Sequence, residues 1–397
     1  MRVARIVTRP NLGGPMRQAI ALWHAHRQLG IATLLVTGVV GAGEAALEPS
    51  ALGVPRLPFA DAVAAGPAAA GWVELADLQR GVAPWRDLRA GRALRRLLAA
   101  FAADVVHTHT SKAGWLGRRA AFALGVPRVV HTFHGHVLQD YFGGPMSALL
   151  RRLERRLAAR TDVLVAVSDS CADELAAAGI APRQRFVVVP PAVPLPAPLA
   201  RAEARRRLGL GEAVVALACV GRLVPIKRVA DFVDAVAARP TWRGVVFGDG
   251  PDRAALAQRV AARAAGRIEL AGAVPDAAAL LPAFDALVLP SVREGCPLVA
   301  VEAFAAGVPV VGYDVPGVRD ALTVWGDGFL VPPAEGPDGL GAAIARCLAE
   351  PAATAARVRR ARDGVGRFAP AQVAAALVDL YRPGKAGVAR YDAAAEA

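Results

Sequence analysis

Cysteine is scarce in this chain, and that scarcity narrows the field first. The four cysteines in 397 residues (Cys171, Cys219, Cys296, Cys347) lie far apart with no CxxC pair. This argues against a disulfide scaffold and a cysteine-rich zinc module, and it fits a reducing cytosol. Long apolar runs are missing as well. The longest, from Ile31 to Gly43, ends in turn glycines and falls short of the ~18 to 20 residues of a membrane span. Residues 1–20 carry arginine and proline where the apolar core of a signal peptide would stand. No GxGxxG follows the first apolar segment, no D-x-D occurs, and no repeat of 20–50 residues is evident. Lysine is almost absent: Lys112, Lys227 and Lys385 are three of 47 basic residues. The expectation is a soluble, cytoplasmic globular protein.

What is present is core-forming material. Hydrophobic residues make up 54% and charged residues 20%, enough to bury a sizeable core over two to three domains. Short β-branched runs alternate with longer alanine- and leucine-rich stretches, the pattern of an α/β protein whose parallel sheets carry crossover helices. Strands are expected at Val3–Val7, Ala32–Val36, Val105–His107, Arg128–Thr132, Val163–Val167 and Phe186–Val189. After PPAVPLPAPLA, which is neither helix nor central strand, they resume at Val214–Val220, Gly244–Phe247, Ile268–Ala271, Ala286–Leu289 and Val308–Gly312. The division this implies is an N-terminal domain over 1–190, a linker over 191–200, a second domain over 201–369, and a tail over 370–397 whose helix packs back on the first domain. Two doubly wound, Rossmann-like sheets facing across a cleft place ligands at the carboxyl ends of strands.

Charge is unevenly spread. The chain carries a net +13, and residues 78–160 hold 15 basic and 4 acidic side chains. Within that region RDLRAGRALRRLLAAF (86–101) and MSALLRRLERRLAAR (146–160) set leucines at helical spacing against arginines. Two readings stay open. One is a pair of helices packed on a sheet with solvated basic faces. The other is docking on an anionic membrane surface, where each basic side chain contributes ~1 kcal/mol. Nucleic acid is disfavoured, because no recognition motif or stacking platform accompanies the charge.

Four loops, each after an expected strand, carry chemistry. TRPNLGGP (8–15) offers Gly13 and Gly14, where backbone can approach a ligand closely. In GRLVPIK (221–227), Arg222 and Lys227 flank a turn before a helix, an arrangement suited to a diphosphate. In SVREGCPLVAVEAFAAGVPVV (291–311), Glu294 stands at a helix mouth and Glu302 about one turn inside. Paired carboxylates there suit sugar hydroxyls, while a capping or salt-bridged glutamate at each position is the plain alternative. Five of the seven histidines fall in HTHTSK (107–112) and HTFHGH (131–136), either as metal ligands or as a polar wall. Only Asp104 and Asp140 are near enough in sequence to complete a metal site, so no metal is expected.

Taken together, G-R-L-x-P-x-K, G-D-G-P (248–251) and P-S-x-x-E-G-x-P-x-x-x-x-E-A-x-A-x-G-x-P-V (290–310) make the chain resemble retaining glycosyltransferases of family 4 with the GT-B fold. The resemblance runs from about residue 3 to 381, and 105–136 is similar to the acceptor half of polysaccharide and lipid-linked-glycan members. Cys296 departs from the larger apolar residue usual there. The resemblance implies sugar transfer from a nucleotide diphosphate, most commonly UDP, to a hydroxyl with retained anomeric configuration, without metal or other cofactor. By position, Arg222 and Lys227 would neutralise the diphosphate, Glu302 bind the ribose, and Glu294 the donor sugar. His134 would sit against that sugar, with Gly14, Gly295, Pro297, Leu298 and Val274 completing the donor site. Gly13, His109, Ser111, Lys112 and His136 would face a glycan or lipid-linked acceptor. An N-acetylhexosamine donor sugar and a lipid-linked diphosphate acceptor are further expectations. A UDP-sugar epimerase, a non-catalytic nucleotide-sugar binder and a zinc hydrolase built on the histidines are the alternatives.

Overall fold

A computed structural model describes residues 1–41, 46–135, 144–324 and 327–383. The first half runs β1 (Arg2–Val7), α1 (Gly14–Gln28), β2 (Ala32–Thr37), α2 (Phe59–Ala65), β3 (Gly71–Glu74), α3 (Pro84–Phe101), β4 (Val105–His109), α4 (Ser111–Leu124), β5 (Arg128–Phe133), α5 (Gly144–Arg160), β6 (Val163–Ala166), α6 (Asp169–Ala177) and β7 (Phe186–Val188). The second runs α7 (Arg201–Arg207), β8 (Val215–Val220), α8 (Val229–Ala237), β9 (Trp242–Phe247), α9 (Arg253–Arg263), β10 (Ile268–Gly272), α10 (Ala277–Leu280), β11 (Ala286–Leu289), α11 (Leu298–Ala305), β12 (Val310–Tyr313), β13 (Phe329–Val331), α12 (Gly336–Ala349) and α13 (Pro351–Asp363). A final helix, α14 (Pro370–Tyr381), follows.

These elements form two compact units, Met1–Pro194 with Phe368–Ala397 and Leu195–Arg367. Unit 1 holds a seven-stranded sheet in the order β3-β2-β1-β4-β5-β6-β7, and unit 2 a six-stranded sheet in the order β10-β9-β8-β11-β12-β13. All pairs are parallel, with β1 held between β2 (Val3↔Thr33) and β4 (Val3↔Val105). In unit 2, β8 lies between β9 (Ala218↔Val245) and β11 (Ala218↔Leu287). Parallel sheets need both faces covered, and unit 1 shows how. On α3 the buried residues Ala90, Leu94, Leu97, Leu98 and Phe101 recur at helical spacing, packing with Ala4, Ile6, Val36 and Val106 on one face. The other face is covered by α1 and α14, where Leu22, Val373, Leu377 and Tyr381 meet Val3, Val105 and Val130. Pro370 begins α14, a position where its missing N–H costs nothing.

The structure departs from the sequence reading in three places. Strands β3 (GWVE) and β13 (FLV), sheet edges of four and three residues with a single valine each, were not expected. The proline-rich stretch is not wholly a linker: Ala192 and Val193 are fully buried, Ala192 in the unit 1 core. Val193 also donates its N–H to Phe368 O at 2.9 Å, so the chain leaves unit 1 beside the point where it returns. On α5 the leucine face is only partly covered, with Leu149 50% and Met146 48% exposed.

Because α14 covers one sheet face, its apolar contacts are stability determinants of unit 1. Leu377→Ala is expected to cost about 2–5 kcal/mol, read as a lowered urea midpoint at unchanged slope.

Candidate functional site

A doubly wound sheet reverses strand order once, and the loops that leave the carboxyl ends there diverge and open a crevice. In unit 1 this point lies between β1 and β4, and in unit 2 between β8 and β11. The loops singled out in the sequence leave these strands: Thr8–Gly13 after β1, Thr110 and Ser111 after β4, Gly221–Lys227 after β8, and Pro290–Pro297 after β11.

In unit 2 the two motif loops meet. The Lys227 ammonium donates to the Glu294 carboxylate in an ion pair whose side chains are 21% and 11% exposed. The backbone joins them too, Val292 N–H donating to Ile226 O at 3.0 Å. Arg222 is exposed at the start of the same loop. Glu302 lies within α11, 4% exposed, and Pro297 takes the position that caps that helix, with no side-chain cap below it. Gly295 and Leu298 are half-buried beside them, and Val274 follows β10, also half-buried. Two glycines show why this loop cluster tolerates nothing larger. A Cβ on Gly248 (φ +150°) would lie 1.8 Å from Gly221 O, and one on Gly317 (φ +55°) 2.3 Å from Glu294 O. Behind the loops, burial pushes the Cys219 thiol up to about 12, leaving an inert packing group.

Unit 1 presents a buried polar cluster. Arg5, His107 and His109 are fully buried on the central strands β1 and β4. The Arg5 guanidinium donates to His109 Nε2 at 2.8 Å and to the Tyr381 hydroxyl at 3.0 Å. His107 lies 2.7 Å from both the Tyr381 hydroxyl and Thr132 Oγ1, and His109 Nδ1 lies 2.9 Å from His134 Nε2. Burial, reinforced by Arg5, holds His134 and His26 down to about 3 and drives His107 and His109 well below the usual imidazole range. Neutral rings facing a guanidinium are a poor cation site, and no group of three or more potential metal ligands converges among the described residues.

The remaining positions fall as follows. Gly13 caps α1 without a side-chain hydrogen bond, and Gly14 is its first residue. Ser111 opens α4 and is exposed. Lys112 pairs with Asp87 at 2.5 Å, with side chains 10% and 8% exposed, and so ties α4 to α3. His136 lies outside the described residues. Sequence reasoning missed Arg5, Tyr381, Thr8 and Thr110. Thr110 adopts φ +64°, rare for a β-branched residue, and its Oγ1 lies 2.6 Å from Thr8 Oγ1, clamping the two switch-point loops together. An arginine inside the apolar run that follows Arg2 in β1 (RVARIV) was the available signal for Arg5.

A family model described as glycosyl transferases group 1 matches residues 215–350, and one described as glycosyltransferase family 4 matches residues 54–195. A D-inositol 3-phosphate glycosyltransferase of Thermobispora bispora is 34% identical over 303 residues, covering 70% of each chain. An Escherichia coli UDP-Gal:α-D-GlcNAc-diphosphoundecaprenol α-1,3-galactosyltransferase is 31% identical over 64% of this chain and 69% of its own. Among solved structures, a sucrose-phosphate synthase from Thermosynechococcus elongatus superposes with a TM-score of 0.79 at 21% identity, over 96% of this chain and 98% of that one.

The buried histidines set a pH dependence. Unfolded His26 binds a proton near 6.5, whereas the folded residue, fully buried, resists down to about 3. The unfolded state therefore binds more protons in that window. Its contribution is complete above pH 6.5 and is lost as pH falls, at about 1.4 kcal/mol per pH unit. In urea unfolding at pH 7, 6 and 5, wild type should lose this increment relative to His26→Gln; a constant difference would refute the assignment.

Proposed function

This chain belongs to the group 1, family 4 glycosyltransferases, and we propose that it moves a sugar from a UDP-sugar to a hydroxyl of a lipid-linked glycan acceptor in cell-surface polysaccharide synthesis, retaining the anomeric configuration. The observation that carries this reading is the meeting of GRLVPIK and the Glu294–Glu302 segment in unit 2, with Lys227 and Glu294 in one ion pair. The UDP choice is supported by the galactosyltransferase relative, whose name specifies UDP-Gal and a diphosphoundecaprenol-linked substrate.

The chemistry follows from charge. Breaking the bond between the anomeric carbon and the diphosphate oxygen leaves negative charge on the diphosphate and positive charge on the ring. Preorganised cations beside that oxygen supply the largest catalytic contribution. Arg222 and Lys227 fill this role without a metal ion, and a diphosphate gives Lys227 a second anionic partner beside Glu294. Glu294 then accepts hydrogen bonds from donor sugar hydroxyls, and Glu302 from the ribose. The acceptor oxygen forms its bond to the anomeric carbon on the face the diphosphate leaves. Its proton passes to the departing phosphate oxygen, so atoms and charge balance without a protein base. In unit 1, His134 serves the donor sugar, with Gly13, His109 and Ser111 on the acceptor side.

Residues 78–160 add a lipid-facing surface at the cytoplasmic side of a membrane. No helix among the described residues is long and apolar enough to cross one. Trp85 is 79%, Val82 82% and Leu88 44% exposed at the start of α3, beside exposed Arg86, Arg89 and Arg92. An aromatic and two aliphatic side chains among arginines match the interfacial pattern. A shallow cavity of about 380 Å³ between α4 and α5 repeats it, joining Trp115, Phe122 and Leu153 with Arg119, Arg156 and Arg160.

Thermal unfolding with UDP, GDP, ADP and TDP, each with and without Mg²⁺, tests the donor reading. A nucleotide at ~100 Kd adds about 2.7 kcal/mol, a shift of several degrees. UDP alone should give it without metal, and Glu302→Gln should remove it; no stabilisation by any nucleotide would sink the proposal. Arg222→Ala should lower turnover ~10²- to 10³-fold, the loss seen when one transition-state donor is removed. For the surface, co-sedimentation with anionic vesicles at low salt should fall on Trp85→Ser with Leu88→Ser. Binding that is absent, or indifferent to both changes, would refute it.

A further inference from the structure

We propose that Arg5, acting through His109, holds His134 as the neutral tautomer with its proton on Nδ1, which makes Arg5 and His109 positioning residues for unit 1's part in the reaction. The argument rests on hydrogen-bond polarity. A guanidinium only donates. Arg5 Nη1 lies 2.8 Å from His109 Nε2, so that nitrogen carries the lone pair. A neutral imidazole has one N–H, which for His109 must be on Nδ1. At 2.9 Å that N–H donates to His134 Nε2, and the proton of His134 is left on Nδ1. No protein acceptor for it is found among the described residues.

A second branch from the same arginine fixes the tautomer of His107. Arg5 Nη2 donates to the Tyr381 hydroxyl at 3.0 Å, and that hydroxyl stands 2.7 Å from His107 Nδ1, which Arg5 Nη1 also approaches at 3.4 Å. Both neighbours donate, so His107 Nδ1 accepts and its Nε2–H donates to Thr132 Oγ1 at 2.7 Å. The two stacked rings, 4.4 Å apart and 24° from parallel, thus hold opposite tautomers, and every bond has one donor and one acceptor. Adding a proton to either ring would set N–H against N–H. Among the described residues, the charged or titratable groups around His134 are Arg5 from β1, His107 and His109 from β4, and His131 from β5. His26 of α1 and Tyr381 of α14 stand behind them; none supplies a negative charge that would favour an imidazolium.

The consequence is a directional one. With Nε2 already accepting, His134 offers a single Nδ1–H donor at the end of β5. Its ligand partner must bring a lone pair, as a sugar hydroxyl or phosphate oxygen does. The ring has no free site for a proton, in keeping with transfer of the acceptor proton to the leaving phosphate. That last step rests on the transferase reading; the tautomer does not.

Ring ¹⁵N-labelled histidine, followed by two-bond nitrogen–proton correlations from pH 8 to 5, tests the relay, with His134→Asn assigning the signal. Wild type should show His134 protonated on Nδ1 alone and silent over this range. His109→Phe, which keeps a stacked ring but no hydrogen bonds, should release His134 to mixed tautomers titrating towards 6.5. His109→Gln, whose amide carries one acceptor and one donor, should restore the wild-type pattern. A wild-type His134 protonated on Nε2 or charged at pH 7 overturns the proposal, as does a His109→Phe spectrum unchanged at His134. Should His109→Phe fail to fold, the wild-type and His109→Gln spectra still decide it. UDP stabilisation, read on unit 2, fails or succeeds separately, so loss of the transferase reading and loss of the relay are distinguishable.

Discussion

Parallel strands cannot be joined by tight turns, and this constraint governs the molecule. Each strand needs a crossover back to the same end of the sheet, so every strand-to-helix loop of a unit emerges on one side. The strand order of each sheet reverses once, at β1/β4 and at β8/β11. The glycine loop, the histidine strand end, GRLVPIK and the Glu294 loop all leave at those two points. The loops of the candidate site therefore gather where backbone geometry leaves no strand to cover them.

The second theme is charge placed where solvent cannot screen it. Arg5 is fully buried in a central strand, a position that desolvation makes costly unless each N–H finds an acceptor. His107, His109 and Tyr381 provide acceptors for the two terminal nitrogens, while Nε finds none among the described residues, and α14 closes over the cluster with Leu377 and Tyr381. The C-terminal helix is thereby tied to the buried histidine cluster as well as to the core of unit 1. In unit 2 the Lys227–Glu294 pair is only partly buried, its side chains 21% and 11% exposed. A pair of this kind is weak evidence for stability; it keeps both charges preorganised beside the loops that carry Arg222 and Glu302.

Much of this was legible in the residues. Eleven strands were recognisable because buried parallel strands read as continuous apolar runs; β3 (GWVE) and β13 (FLV), each with a single valine, did not stand out. Arg222, Lys227, Glu294 and Glu302 stood out by type and spacing. That Lys112 pairs with Asp87 was not legible, because the two lie 25 positions apart. Arg5 and Tyr381 escaped notice because they lie 376 positions apart, and nothing local to either marks the partner.

By itself the sequence determined the α/β class, the two sheets, the motif loops and the family, because each depends on patterns within a few tens of residues. Only tertiary structure decided which charges neutralise one another, that Ala192 and Val193 belong to a core, and that one arginine reaches two histidines and a C-terminal tyrosine. Those outcomes depend on burial and on hydrogen-bond distances between distant segments, and neither quantity is written in local order.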